Sequence, residues 1–218
     1  MDLVIKYNTP QELFTAICNK IRDKTNSNEL INHQDIPNRI DEIFDNGIKE
    51  EYNELLVLIE GTNNTAVINN DKIENFNISF KGCATLTTVN LPKCTSIGDY
   101  AFVNCIGLTT VNLPECTTIG RSAFGSNINL TINLPKCTFI RNEAFYGGNN
   151  LTIILANDQV AILENYNVFR FFTSPCYIYV PDNLVDLYKT AENWSAYADN
   201  IKPISELPSE LKEEYGYE

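Results

Sequence analysis

The chain is poor in the side chains that do most enzymatic work. It holds one histidine, His33, one tryptophan, Trp194, and one methionine, Met1. A lone imidazole leaves no second histidine for the usual zinc ligand sets, and no C-x-x-C pair occurs among the seven cysteines. G-x-S-x-G, H-E-x-x-H, the P-loop and G-x-G-x-x-G are all absent, so no catalytic residue, metal or cofactor is expected. No run approaches the ~18 uninterrupted apolar residues that span a bilayer, so no membrane insertion is expected. Met1-Asp2-Leu3-Val4-Ile5-Lys6 lacks a cationic segment followed by an apolar one, so no export signal is expected either. Bases are scarce too: 16 Lys and Arg stand against 28 Asp and Glu, a net charge of −12. Phosphate binding needs clustered cations, so nucleic acid is not an expected partner.

What the chain does contain is enough apolar material for a core, 44% of residues, with 20% charged. That balance is globular. The charge is unevenly placed, with residues 1–60 at net −6, residues 86–150 at net +1 and residues 151–218 at net −7. A nearly neutral middle therefore lies between two acidic ends.

The middle repeats. Leu86–Gly107 and Leu108–Asn129 are 22 residues long and Leu130–Asn150 is 21. Pro92, Pro114 and Pro135 share one place, as do Cys94, Cys116 and Cys137, then Ile97, Ile119 and Ile140. The pairs Ala101-Phe102, Ala123-Phe124 and Ala144-Phe145 share another. Phe80-Lys81-Gly82-Cys83 ends a degenerate earlier copy, and Leu151-Thr152-Ile153-Ile154-Leu155 starts a later one. A period near 22 means one short coil per repeat, stacked because a single coil cannot cover its own apolar face. Alternation along the first strand of each coil points Val89, Leu91, Val111, Leu113, Ile132 and Leu134 inward. The same alternation puts Thr88, Asn90, Thr110, Asn112, Thr131 and Asn133 on the outer face. Proline then ends each strand without wasting a buried donor.

Residues 86–102, Leu-Thr-Thr-Val-Asn-Leu-Pro-Lys-Cys-Thr-Ser-Ile-Gly-Asp-Tyr-Ala-Phe, resemble the BspA-like leucine-rich repeat. The resemblance covers about residues 70–157 and implies a leucine-rich-repeat β-solenoid. Asn127 and Gly148 depart from it, standing where Cys105 stands one coil earlier. Cys83 and Cys105 fall in one column, and Cys94, Cys116 and Cys137 in another. They read as reduced core residues, with a disulfide between adjacent coils as the alternative, since neighbouring strands are only ~4.8 Å apart.

The ends read differently. Thr9-Pro10-Gln11-Glu12 is a capping box ahead of Leu13, Phe14, Ile17 and Ile21 at helical spacing. Asp35 heads a second helical pattern of Ile36, Ile40, Ile43 and Phe44, ended by Gly47. Residues 1–48 therefore read as a helical hairpin too small to stand alone, with Leu13, Ile17, Ile21, Ile40 and Phe44 as docking residues. Its run Ile21-Arg22-Asp23-Lys24-Thr25, then Asp35-Ile36-Pro37 with Ile40, resembles a small module common in tailed-phage virion proteins. Residues 49–69 read as a linker and first strand. At the other end Tyr177–Pro181 is a strand, and Asp182 is placed to cap a helix carrying Leu184, Val185 and Tyr188. That run, with Asn193-Trp194-Ser195 and Ile201-Lys202-Pro203-Ile204, resembles the ending of many phage-borne and bacterial BspA-like proteins. Residues 158–218 thus read as a strand-helix cap followed by an acidic tail. Trp194 serves either the core of that cap or a ligand pocket.

The expected class is α+β: a leucine-rich-repeat β-solenoid with an N-terminal helical hairpin and a C-terminal strand-helix cap. His33, in a loop, and Asp99, Glu115 and Glu143, at non-equivalent repeat positions, read as solvated surface groups. The Thr and Asn columns, Thr88, Thr110, Thr131, Asn90, Asn112 and Asn133, form either a binding surface or merely a wet strand face. The resemblances imply a non-enzymatic phage virion protein, its N-terminus docked on the particle. The repeats then face outward for adhesion or decoration. Expected partners are other virion proteins, copies of the same chain in an assembly, and a host surface glycan or protein. A bacterial cell-surface BspA-like adhesin and an intracellular scaffold are the alternatives.

Overall fold

The computed structural model describes residues 66–69, 71, 73–77, 79–84, 86–172 and 175–217. The hairpin expected over residues 1–48, its docking residues Leu13, Ile17, Ile21, Ile40 and Phe44, and His33 lie outside the described residues.

Each coil starts with a short strand: β1 (Ala66–Asn69), β3 (Leu86–Asn90), β5 (Thr110–Asn112), β7 (Thr131–Asn133), β9 (Thr152–Ile154) and β11 (Tyr177–Val180). With β12 (Ile201–Pro203) they form a seven-stranded sheet in the order β1-β3-β5-β7-β9-β11-β12, every pair parallel. A second parallel sheet of five strands joins β2 (Asn75–Phe76), β4 (Ser96–Ile97), β6 (Thr118–Ile119), β8 (Phe139–Ile140) and β10 (Ile162–Leu163). Threonine and β-branched residues suit such pleated surfaces. Register puts Ile68, Val89, Val111, Ile132, Ile153, Ile178 and Ile201 in one line, each within 1% of full burial. This is the solenoid the repeat implies.

Proline acts where its chemistry is harmless. The amides of Leu91, Leu113 and Leu134 still donate across the ladder, to Asn112, Asn133 and Ile154. Proline follows one residue later, and Cys94, Cys116 and Cys137 then donate back to Leu91, Leu113 and Leu134. Proline thus sits second in a four-residue turn, where its fixed φ fits. A third side of the coil carries its own ladder: Phe80, Phe102, Phe124 and Phe145 donate to Ala101, Ala123, Ala144 and Val168. The chain bends into and out of that side through left-handed residues. Asn104 (φ 59°), Ser126 (58°), Gly147 (64°) and Phe171 (62°) occupy one such column.

The core between the three sides is a file of aromatic rings. Phe76, Phe102, Phe124, Phe145 and Phe169 stack with centroids 5.0–5.7 Å apart and interplanar angles of 10–20°. Each fully buried ring contributes about 1.5–3 kcal/mol of transfer free energy. The coil begun at Leu151 passes the expected boundary at 157, since Val168-Phe169 takes the Ala-Phe place. Val replacing Ala, within a longer segment, hides that last coil from a reading of the repeat.

The end of the stack is closed by aromatic packing. Trp194, 1% exposed, lies 5.8 Å from Phe169 and donates from Nε1 to the Ala161 carbonyl at 2.6 Å. Tyr188 meets it edge-on at 4.9 Å. Trp194 is therefore core. Tyr188 sits on the six-residue helix α1 (Val185–Thr190), which follows a 3-10 turn at Asp182–Leu184. Asp182 does not cap either element, contrary to expectation. Its Oδ1 instead accepts the Ser205 amide at 3.1 Å, tying the later chain back to β11. Hydrogen bonding from the Ser205 side chain, and after it from the Ser205 amide, holds the Asp182 carboxyl below its ordinary pKa.

Candidate functional site

The outer face of the seven-stranded sheet carries the Thr and Asn columns. Thr88, Thr110 and Thr131 pair in register and are half-buried, as are Asn90 and Asn112. Their amides are linked, since Asn112 Nδ2 donates to Asn90 Oδ1 at 3.0 Å. The same device recurs at the coil corner, where Asn150 Nδ2 donates to Asn129 Oδ1 at 2.9 Å. Side-chain ladders of this kind fix the outward amides in one orientation.

Asn133 departs from expectation. It is 5% exposed, because the chain's last helix lies over it. Helix α2 (Ser209–Tyr215) and Tyr217 fold back across the outer face. In the line Asn90, Asn112, Asn133, the next two strands substitute Ile154 and Tyr179, and both are buried beneath this segment. Leu207 is buried with them, and Ile204, Leu211, Tyr215 and Tyr217 pack around the cluster. Tyr217 Oη donates to Asn133 Oδ1 at 2.7 Å. Burial pushes the Tyr217 phenol up to about 12 and raises Tyr215 further still.

The expected acidic tail is thus a cover with an apolar underside, and it confines the open polar face to β3, β5 and the start of β7. Spacing was the missed signal: Leu207, Leu211 and Tyr215 recur at i, i+4 and i+8, opposite an isoleucine where the repeat has asparagine.

The thiols are structural. Cys94, Cys105, Cys116, Cys137 and Cys176 are free and buried. Cys116 and Cys94 donate from Sγ to the carbonyls of Thr118 and Ser96 at 3.3 and 3.1 Å. Desolvation pushes Cys105, Cys137 and Cys176 up to about 12, well away from reactive thiolate. Cys83 corrects the reduced reading: it is disulfide-bonded, while its column neighbour Cys105 is free.

The charged repeat positions are used between coils. Arg141 reaches Asp99 at 3.3 Å, Arg121 reaches Glu143 at 3.4 Å and Lys136 reaches Glu115 at 2.6 Å, all at least partly exposed. Exposed pairs of this kind contribute about 0–1 kcal/mol each. Among the described residues no three His, Cys, Asp or Glu side chains converge on a possible metal position. No helix among them is long and apolar enough to cross a membrane.

Parallel stacked coils sharing columns of identical residues define a leucine-rich-repeat protein, a class that presents extended surfaces for protein interaction or adhesion. The profile of the BspA-type leucine-rich repeat region matches six copies over residues 75–195, more than half of the chain. The chain belongs to that family. No curated protein matches it.

Proposed function

We propose that this chain is a non-enzymatic display component of a tailed-phage virion. Its N-terminal segment docks on the particle, and its repeats face outward for host-surface adhesion or decoration. The observation that carries the display half is the ordered Thr and Asn face of β3 and β5, which offers hydroxyls and amides and no charge. The docking half rests on the run Ile21-Arg22-Asp23-Lys24-Thr25 with Asp35-Ile36-Pro37, which is similar to a module of phage virion proteins. Other virion proteins and further copies of the chain are the proposed particle partners. A host glycan or protein is the proposed outward one.

The test uses the full chain. Wild type cosediments with phage particles from which it has been stripped, whereas Ile21→Asp with Ile40→Asp does not. Thr110→Lys with Asn112→Lys keeps particle binding and loses host-cell binding. Cosedimentation unchanged by the first pair refutes docking, and unchanged cell binding by the second removes the strand face from adhesion.

A further inference from the structure

We propose that Tyr146, Arg170 and Phe171 form a binding site for a carboxylated sugar of a surface glycan. This deepens the adhesion reading and rests on it for biological context, but uses different side chains from the strand face. Phe171 is the first clue. Its φ is +62°, in the column that otherwise holds Gly82, Asn104, Ser126 and Gly147. A bulky side chain is a true outlier in that region, whereas Asn and Gly enter it readily. Folding gains little in return, since Phe171 is 58% exposed. A strained and exposed aromatic is what a ligand contact looks like before its ligand arrives.

Its surroundings point to the ligand. The Tyr146 ring, also exposed, meets Phe171 edge to face, with centroids 5.5 Å apart at 89°. Two exposed rings at right angles make an aromatic corner, and the C–H face of a pyranose lies on such a surface as an apolar group does. The Arg170 guanidinium lies 4.5 Å from the Phe171 centroid. Arg170 NH1 donates to Asn167 Oδ1 at 3.3 Å, which holds the fork in place. No carboxylate among the described residues pairs with Arg170, while Arg121, Lys136 and Arg141 each have one. A stacked, oriented and unpaired guanidinium selects a carboxylate, which it can bind bidentately.

The chain's acidity does not oppose this, because residues 86–172 carry five acids and five bases. A peptide fits less well than a sugar. The backbone amides of Phe145 and Gly147 already donate to Val168 and Arg170, so no free rungs at these two residues receive a strand.

The experiment probes the full chain with an array of oligosaccharides ending in uronic or sialic acids. The same oligosaccharides with the carboxylate reduced to the alcohol serve as controls. Carboxylated members bind and reduced ones do not. Arg170→Gln and Tyr146→Ala each weaken binding roughly tenfold. Phe171→Asn abolishes it while keeping or raising the melting temperature, because Asn suits the left-handed backbone. No binding by the folded wild type, equal binding by Phe171→Asn, or preference for poly-glutamate over every sugar overturns the proposal. Sugar binding without particle cosedimentation instead refutes the virion reading and leaves this site standing.

Discussion

Asn127 offers a sharp test of how the columns work. In its column Cys105 donates from Sγ to the Phe80 carbonyl, one coil back, at 3.1 Å. Asn127 is fully buried and performs the same task with nitrogen, donating from Nδ2 to Phe102 at 2.9 Å and to Phe124 at 3.1 Å. Its Oδ1 is buried without a partner. An orphaned buried acceptor costs about 1–3 kcal/mol, and each neutral hydrogen bond contributes about 1 kcal/mol. Asn127→Cys removes the orphan and keeps one donor, so it should be neutral to about 2 kcal/mol more stable. Asn127→Ala removes the orphan as well, but strips both donors from buried carbonyls and leaves space unfilled, at a net cost of about 2 kcal/mol. For a chain of this size roughly 2–4 °C accompanies each kcal/mol. The two variants should therefore melt about 5–10 °C apart by circular dichroism. If Asn127→Cys melts at or below Asn127→Ala, the polar column is not what the geometry says it is.

Three further outcomes follow from the same packing. Phe124→Ala opens the ring file between Phe102 and Phe145 and should cost about 3–5 kcal/mol in urea unfolding. Gly120→Ala places a Cβ 2.4 Å from the Gly98 carbonyl carbon, so the coils must part there, a loss of roughly 1–3 kcal/mol visible as a lower melting temperature. The cover formed by α2 should loosen in alkali. The folded Tyr217 pKa, about 12, lies above the ordinary value near 10, so its contribution is whole below pH 10 and lost as pH rises through 12. Hydrogen exchange in residues 209–217 should rise across that window in wild type and less in Tyr217→Phe, whose phenol is gone. Identical pH profiles would show that Tyr217 does not govern the cover.

The repeating part of this fold was legible because one residue type in a column has one job. Val89, Val111 and Ile132 alternate with threonines, so period two fixed which face each occupied, and the 22-residue spacing aligned them. The candidate face was half legible for the same reason. Asn133 looks identical to Asn112 along the chain, yet its burial is decided by Tyr217, 84 residues away. Repeat logic is local and has no term for such a contact. Asp182 misled in a similar way, since a helix-capping position was answered by a distant amide at Ser205. The Arg170–Phe171 corner is not legible along the chain, because the coil that carries it has Val168-Phe169 in place of Ala-Phe and so breaks the repeat's pattern.

The parallel rungs that join one coil to the next also decide how the molecule meets a pull. They run along the stacking direction, so tension between the two ends loads them in series and opens one interface before another. Each 22-residue turn that peels away lengthens the chain by roughly 70 Å while the remaining turns keep their shape. A stack built this way yields one turn at a time, so the turns still in place keep their ladders while others have opened.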